Sequence, residues 1–197
     1  LTPIQLSAGR IKRKFREAEG VDAEALDQMT DVIVRKTEDL RRIVDEFSKF
    51  ARMPEPDASI QDLSLLVQDA VTLQEARADD IELISHIPET SVWVELDTTM
   101  IGQALTNLIK NAGEAIESAQ ESGGLPDGHV PRIEVSLTAD EESALILVSD
   151  NGIGLPEDRS RLFEPYVTTR SQGTGLGLPI VKKIIEEHGG TLVLKDA

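Results

Sequence analysis

Apolar residues recur at three- and four-residue steps along the first fifty positions. Leu1, Ile4, Ala8, Ile11 and Phe15 form one series. Leu26, Met29, Ile33, Lys36, Leu40, Ile43, Phe47 and Phe50 form a second, with a polar interruption at Lys36. Strict 3-4 alternation is the seam of a coiled coil or helical bundle. The stretch EAEGVDAE breaks it between Phe15 and Leu26, so the spacing predicts two antiparallel helices, about 1–18 and 23–53, joined by a short turn. Thr2-Pro3 has the chemistry of a helix start, a capping hydroxyl ahead of proline. The seam nevertheless already runs through Leu1, which reads as the continuation of a longer helix. Two helices alone enclose little core. A homodimeric four-helix bundle would cover their seam; packing on the rest of the same chain is the alternative.

MPEPDAS, residues 53–59, carries two prolines and reads as a linker. The period then changes repeatedly. Residues 61–78 read as a helix, and IELISHI and SVWVEL as strands flanking the PET turn. Asp97 caps a long helix in which Ile101, Ala104, Leu108 and Ala112 recur at helical spacing. SAQESGGLPDGHVP is a polar loop; RIEVSLT and ALILVSD are strands around an acidic turn. A turn-rich loop (150–175) precedes a last helix over 176–187, closed by Gly189-Gly190, and TLVLKDA begins a final strand. The predicted class is α+β: a helical hairpin over 1–53, a linker over 54–59, and an α/β sandwich over 60–197 with helices on one face of the sheet.

Charge sharpens that division. Residues 1–53 carry 11 Lys and Arg against 10 Asp and Glu, whereas residues 54–197 carry 9 against 26, so almost all of the net charge of −16 lies in the second segment. Such acidity argues against nucleic-acid binding, which needs a basic face. With no cysteine there is neither a disulfide framework nor a thiolate metal site, which fits a reducing cytoplasm. No apolar run approaches the roughly 20 residues of a membrane span.

Three stretches could carry chemistry. In NLIKNAGEAIE, Asn107, Asn111 and Glu114 share one helical face. Amides on one stripe suit a metal ion with phosphate oxygens, since Mg²⁺ takes few protein ligands; an exposed amphipathic face would look the same. In DNGIGLP, Asp150 ends an apolar strand, and Gly152 and Gly154 let the backbone approach a flat ligand. The carboxylate could accept from an exocyclic amine such as that of adenine, although an ordinary Asp-Asn-Gly turn is equally consistent. In GTGLGLPIV, Gly173, Gly175 and Gly177 lead into a helix, whose N-terminal N–H groups suit phosphate. No Gly-Lys-Ser/Thr follows, so this is not a P-loop, and the spacing does not fit a dinucleotide fingerprint.

Order and spacing say more than any one stretch. Together they resemble the ATP-binding (Bergerat) domain of the GHKL superfamily, and within it the sensor histidine kinases of two-component systems. NLIKN is similar to the N box of that family, DNGIG to its G1 box, LFEPYVTTR to its F box and lid, and GTGLGL to its G2 box. LTPIQLSA and EFSKFARMPEP resemble the NtrY type of nitrogen-regulation sensor kinase. The resemblance implies that ATP and Mg²⁺ are the cofactors, with Asn111 on the metal and Asn107 contributing one turn earlier. Asp150 would bind the adenine amine, and Gly152 and Gly154 would shape the adenine pocket. Gly173, Thr174, Gly175, Leu176 and Gly177 would hold phosphates through their backbone. Phe163, Tyr166, Thr168, Thr169 and Arg170 would belong to the lid, with Arg170 a phosphate contact.

Hydrolytic members of the superfamily place a glutamate base four residues before the metal-binding asparagine. Here that residue is Asn107, an amide that cannot take a proton from water, so transfer to a nucleophile is favoured over hydrolysis. The resemblance implies that the acceptor histidine lies just upstream of Leu1, leaving no catalytic nucleophile within this sequence. His86, His129 and His188 read as structural. Further implications are a homodimer through residues 1–53, a response-regulator receiver domain as partner, and a cytoplasmic domain whose parent protein is anchored in the inner membrane. The rivals are a non-sensor GHKL ATPase or serine kinase, and a dimerisation scaffold with a vestigial pocket.

Overall fold

The 3-4 seam forms two helices in the computed structural model, α1 (Thr2–Phe15) and α2 (Ala23–Ala51). The structure describes residues 2–15, 23–75, 80–123, 128–156, 158–167 and 174–196, and the chain divides into two compact units, Leu1–Met53 and Pro54–Ala197.

In the first unit the helices meet along small side chains rather than along the large residues of the apolar seam. Ala8 is buried, and α2 buries Thr30 and Thr37. These small side chains permit close approach, and each hydroxyl is satisfied within its own helix. Thr30 Oγ1 donates to the Leu26 and Asp27 carbonyls (2.9 and 3.0 Å), and Thr37 Oγ1 to the Ile33 carbonyl (2.6 Å). Lys12 spans the pair to Asp31 at 3.0 Å and Asp27 at 4.0 Å. The seam residues Ile4, Ile11, Phe15, Met29, Ile33, Leu40 and Phe47 remain 41–67% exposed. The hairpin therefore closes on a narrow stripe of small residues and leaves most large side chains of its apolar seam exposed.

The second unit begins with a strand where a linker and a helix start were expected. β1 (Ser59–Asp62) pairs antiparallel with what becomes β3 (Trp93–Leu96), in the register Ser59↔Leu96 and Asp62↔Trp93. The helix α3 (Leu63–Glu75) starts at Leu63 rather than Gln61, because Asp62 Oδ1 accepts the Ser64 N–H at 3.0 Å. β2 (Glu82–His86) does not pair with β3. It runs parallel to β4 (Arg132–Ala139), which is antiparallel to β5 (Ala144–Asp150). The PET turn thus connects two sheets. Residues 191–196 form no strand, since a strand needs a neighbour and none pairs with this stretch among the described residues.

α4 (Thr98–Glu121) is the central element of the helical layer. It touches α3, β4, β5 and α5 (Gly177–Glu187). Its inner stripe of Ile101, Leu105, Ile109, Ala112 and Ile116 is buried, opposite Ile133, Val135 and Leu137 of β4. Leu108 is half-buried, and its neighbours Leu105 and Ile109 take the core positions. Asp97 is the N-cap, accepting the Thr99 and Met100 N–H groups at 2.9 and 3.0 Å.

Candidate functional site

Helical spacing puts Asn107 and Asn111 on one face of α4, and both are half-buried. Glu114, on the same side, lies 3.6 Å from Lys110. Asn111 meets the start of α5: a Cβ built on Gly177 would sit 3.4 Å from Asn111 Oδ1 and 3.5 Å from Nδ2. That helix starts without a side-chain cap. Its first N–H groups therefore end beside the asparagine amide, and an uncapped N-terminus with its positive dipole end suits an anion.

One turn further along, α4 receives the loop that follows β5. The Ile153 N–H donates to the Ala115 carbonyl at 3.1 Å. Gly152 rests directly on the helix backbone, where a Cβ would lie 2.5 Å from the Ala115 carbonyl carbon and 2.6 Å from the Ile116 nitrogen. Asp150, at the end of β5, is held by this docking. Its Oδ1 accepts the Gly152 N–H at 3.0 Å, and Oδ2 has no hydrogen-bond partner among the described residues. Burial pushes its carboxyl above the usual carboxylate range, opposed by the Gly152 bond. Asp150 is thus a partly dehydrated acceptor with one oxygen available to a donor.

Sequence reading missed Asn151. Its Oδ1 accepts the Arg132 N–H at 2.9 Å and its Nδ2 donates to the Val130 carbonyl at 2.8 Å. The side chain clamps the entry to β4 onto the exit of β5 and so fixes the Asp150 turn. The available signal was asparagine's aptitude for bonding backbone in turns.

Phe163 ends a short 3-10 turn (Ser160–Phe163), with Lys182 of α5 5.1 Å from its ring centroid. Tyr166 has a φ of 69°, unusual for a residue with a side chain. Its N–H donates to the Gly175 carbonyl at 3.1 Å, and a Cβ on Gly175 would lie 2.6 Å from the Tyr166 carbonyl carbon. Tyr166 and Gly175 therefore lie back to back. Thr174 is half-buried, Leu176 is fully buried and anchors the start of α5, and Gly154 has open space where a Cβ would be. Thr168, Thr169, Arg170 and Gly173 lie outside the described residues.

Residues 96–197 match the histidine kinase-, DNA gyrase B- and HSP90-like ATPases. The whole chain is 49% identical to the nitrogen regulation protein NtrY of Azorhizobium caulinodans and spans 25% of that protein's length. Among solved structures, the catalytic domain of histidine kinase ThkA aligns with a TM-score of 0.56 and 30% identity, over 67% of this chain and 82% of that one. ThkA in complex with the response regulator protein TrrA aligns over 96% of this chain and 51% of that one, with a TM-score of 0.65 and 24% identity, a likeness of fold. The matched stretch contains every element that meets at Asp150, Asn111 and Gly177, and the chain belongs to the histidine kinase-, DNA gyrase B- and HSP90-like ATPase family.

Proposed function

We propose that this chain is the kinase core of a two-component sensor histidine kinase of the nitrogen-regulation type, binding ATP with Mg²⁺. The observation that carries this reading is the convergence on α4 of a half-buried carboxylate, a side-chain amide and an uncapped helix start. In this reading Asp150 Oδ2 accepts the adenine amine, and Gly152 and Gly154 leave room for the flat base. Asn111 and Asn107 offer amide oxygens to the metal, a neutral donor set suited to an ion that phosphate oxygens already ligate. The backbone from Gly173 to Gly177 holds phosphate, while Phe163, Tyr166, Thr168, Thr169 and Arg170 belong to the covering segment. ATP supplies the γ-phosphoryl group, which passes to a histidine imidazole and then to an aspartate of a response-regulator receiver domain. The amide at Asn107 has no basicity with which to activate water, so hydrolysis is disfavoured. ThkA, solved with a response regulator, supports the choice of partner.

Titration calorimetry with Mg²⁺ and a non-hydrolysable ATP analogue is the direct test. One site per chain is expected, and no binding overturns the reading. Incubation with labelled ATP is expected to leave no phosphohistidine on this chain. His86 lies on β2 and His129 in the loop before β4. His188 has both ring nitrogens engaged, Nδ1 with the Ile184 carbonyl at 2.7 Å and Nε2 with the Asp97 N–H at 3.0 Å.

The exposed seam of the first unit supports self-association through residues 1–53. Burying apolar area yields about 25 cal/mol per Å², and the seven seam side chains on the two helices are exposed. Light scattering is expected to give a dimer at micromolar concentration, and Leu40→Glu a monomer. A wild-type monomer under those conditions overturns this part. No helix among the described residues is long and apolar enough to cross a membrane.

A further inference from the structure

Asp97 does more than cap a helix. Oδ1 takes the first-turn N–H groups of Thr99 and Met100, while Oδ2 accepts the N–H of Asp57 at 3.1 Å. Asp57 belongs to the proline-containing segment 54–58 that joins α2 to β1. The backbone N–H of Asp97 is itself accepted by His188 Nε2 at 3.0 Å. His188 is the C-cap of α5, and its Nδ1 donates to the Ile184 carbonyl in the last turn, which fixes the tautomer. One residue therefore ties together the connecting segment, the start of α4 and the end of α5. These two helices meet again at Asn111 and Gly177, with about 20 Å of α4 between the two meeting points at 1.5 Å per residue.

We propose that Asp97 and His188 are positioning residues that couple the nucleotide site to segment 54–58. Any change in the angle between α4 and α5 when nucleotide fills their near end must be absorbed at the far end. There a shift of the Asp97 carboxylate strains its hydrogen bond to the Asp57 N–H. Coupling of this kind is reciprocal: what nucleotide does to the segment, the segment does to nucleotide affinity. The inference rests on the nucleotide-site reading given above. It adds a route by which the chain preceding β1 acts on the two helices that form the site.

Asp97→Asn isolates the contact. Asparagine is as good an N-cap as aspartate, so its oxygen can still accept from Thr99 and Met100. Its Nδ2 then faces the Asp57 N–H, donor against donor. Asp97→Ser is the second variant, since its hydroxyl caps but is too short to reach Asp57. Amide hydrogen exchange at residues 57–62 of the full chain is measured with and without Mg²⁺ and a non-hydrolysable ATP analogue. In the wild type, bound nucleotide is expected to slow exchange there by about fivefold, the low end of typical coupling. Both variants are expected to lose that response while still melting in one cooperative transition. A wild-type chain that binds the analogue without protecting 57–62 overturns the coupling alone, and so does a variant that keeps the response. A wild-type chain that binds no analogue overturns the nucleotide reading and this coupling with it. The wild-type comparison stands even where a variant does not fold.

Discussion

Replacing Asp150 with asparagine is expected to weaken binding of an adenine nucleotide by about 30- to 160-fold, the loss of a buried hydrogen bond worth about 2–3 kcal/mol to a charged acceptor. The geometry makes this substitution harsher than its size suggests. The Gly152 N–H points at Oδ1 at 3.0 Å, so the asparagine oxygen must stay there to accept it. The amide nitrogen is then left where Oδ2 was, facing the exocyclic amine with donor against donor. A guanine base presents a carbonyl at the corresponding ring position, so discrimination between the two bases is expected to shrink as well. Calorimetric affinities for ATP and GTP analogues on both chains check this, and an unchanged ATP affinity would discard Asp150 as the base-reading group.

Stability should move the other way. Burial raises the Asp150 carboxyl above its usual range, so its ionised form is penalised in the fold relative to the unfolded chain. Below the unfolded carboxylate range both states are protonated and there is no penalty. The penalty grows as pH rises through that range and is complete above the raised folded value. At neutral pH the ligand-free Asp150→Asn chain should thus melt higher than wild type, and the gap should close on acidification. A site residue whose removal stabilises the empty fold is held for its ligand rather than for packing.

The difference between what could be read along the chain and what could not follows the range of the interactions. The Asp97 cap, α4 and the β5–Asp150 junction were legible because each depends on neighbours within a few residues. Strand pairing is non-local. SIQD carries no alternation that marks β1, and only its register against Trp93–Leu96 makes it a strand. TLVLKDA has a short apolar run but no partner among the described residues, so no strand forms there. In the first unit the 3-4 spacing marked the helices, but most large residues of the apolar series lie outside the hairpin's own contact. Thr30 and Thr37 could be buried there because their hydroxyls bond their own helix, which hydropathy does not register. In the site, the docking of Gly152 on α4 and the clamp by Asn151 are tertiary contacts between segments far apart in sequence. The glycines marked the place, but not which one touches the helix.

That distinction among glycines has a large consequence for stability. Gly152→Ala is expected to destabilise the second unit by about 3 kcal/mol or more, toward the severe end for overpacking. The added Cβ would lie 2.5–2.7 Å from three backbone atoms of Ala115 and Ile116, in the middle of α4. A flexible side chain could swing away, whereas a helix backbone held by its own hydrogen bonds and by the sheet beneath it cannot. The strain has to pass either into the Ile153–Ala115 hydrogen bond at 3.1 Å or into α4 one turn from Asn111, so nucleotide binding should fail along with stability. Gly154→Ala makes a control of the opposite kind: no atom lies within 4 Å of its Cβ, but φ is 76°, so only the left-handed backbone penalty of about 1–2 kcal/mol applies. Gly113→Ala is the third member. It sits inside α4 with its nearest neighbour at 3.8 Å, and replacing a mid-helix glycine should stabilise by about 0.5–1 kcal/mol. Urea unfolding of the three variants orders them Gly113→Ala above wild type, then Gly154→Ala, then Gly152→Ala. A Gly152→Ala chain as stable as Gly154→Ala would mean that the loop after β5 does not rest on α4, and Asp150 would then lose the support that aims it.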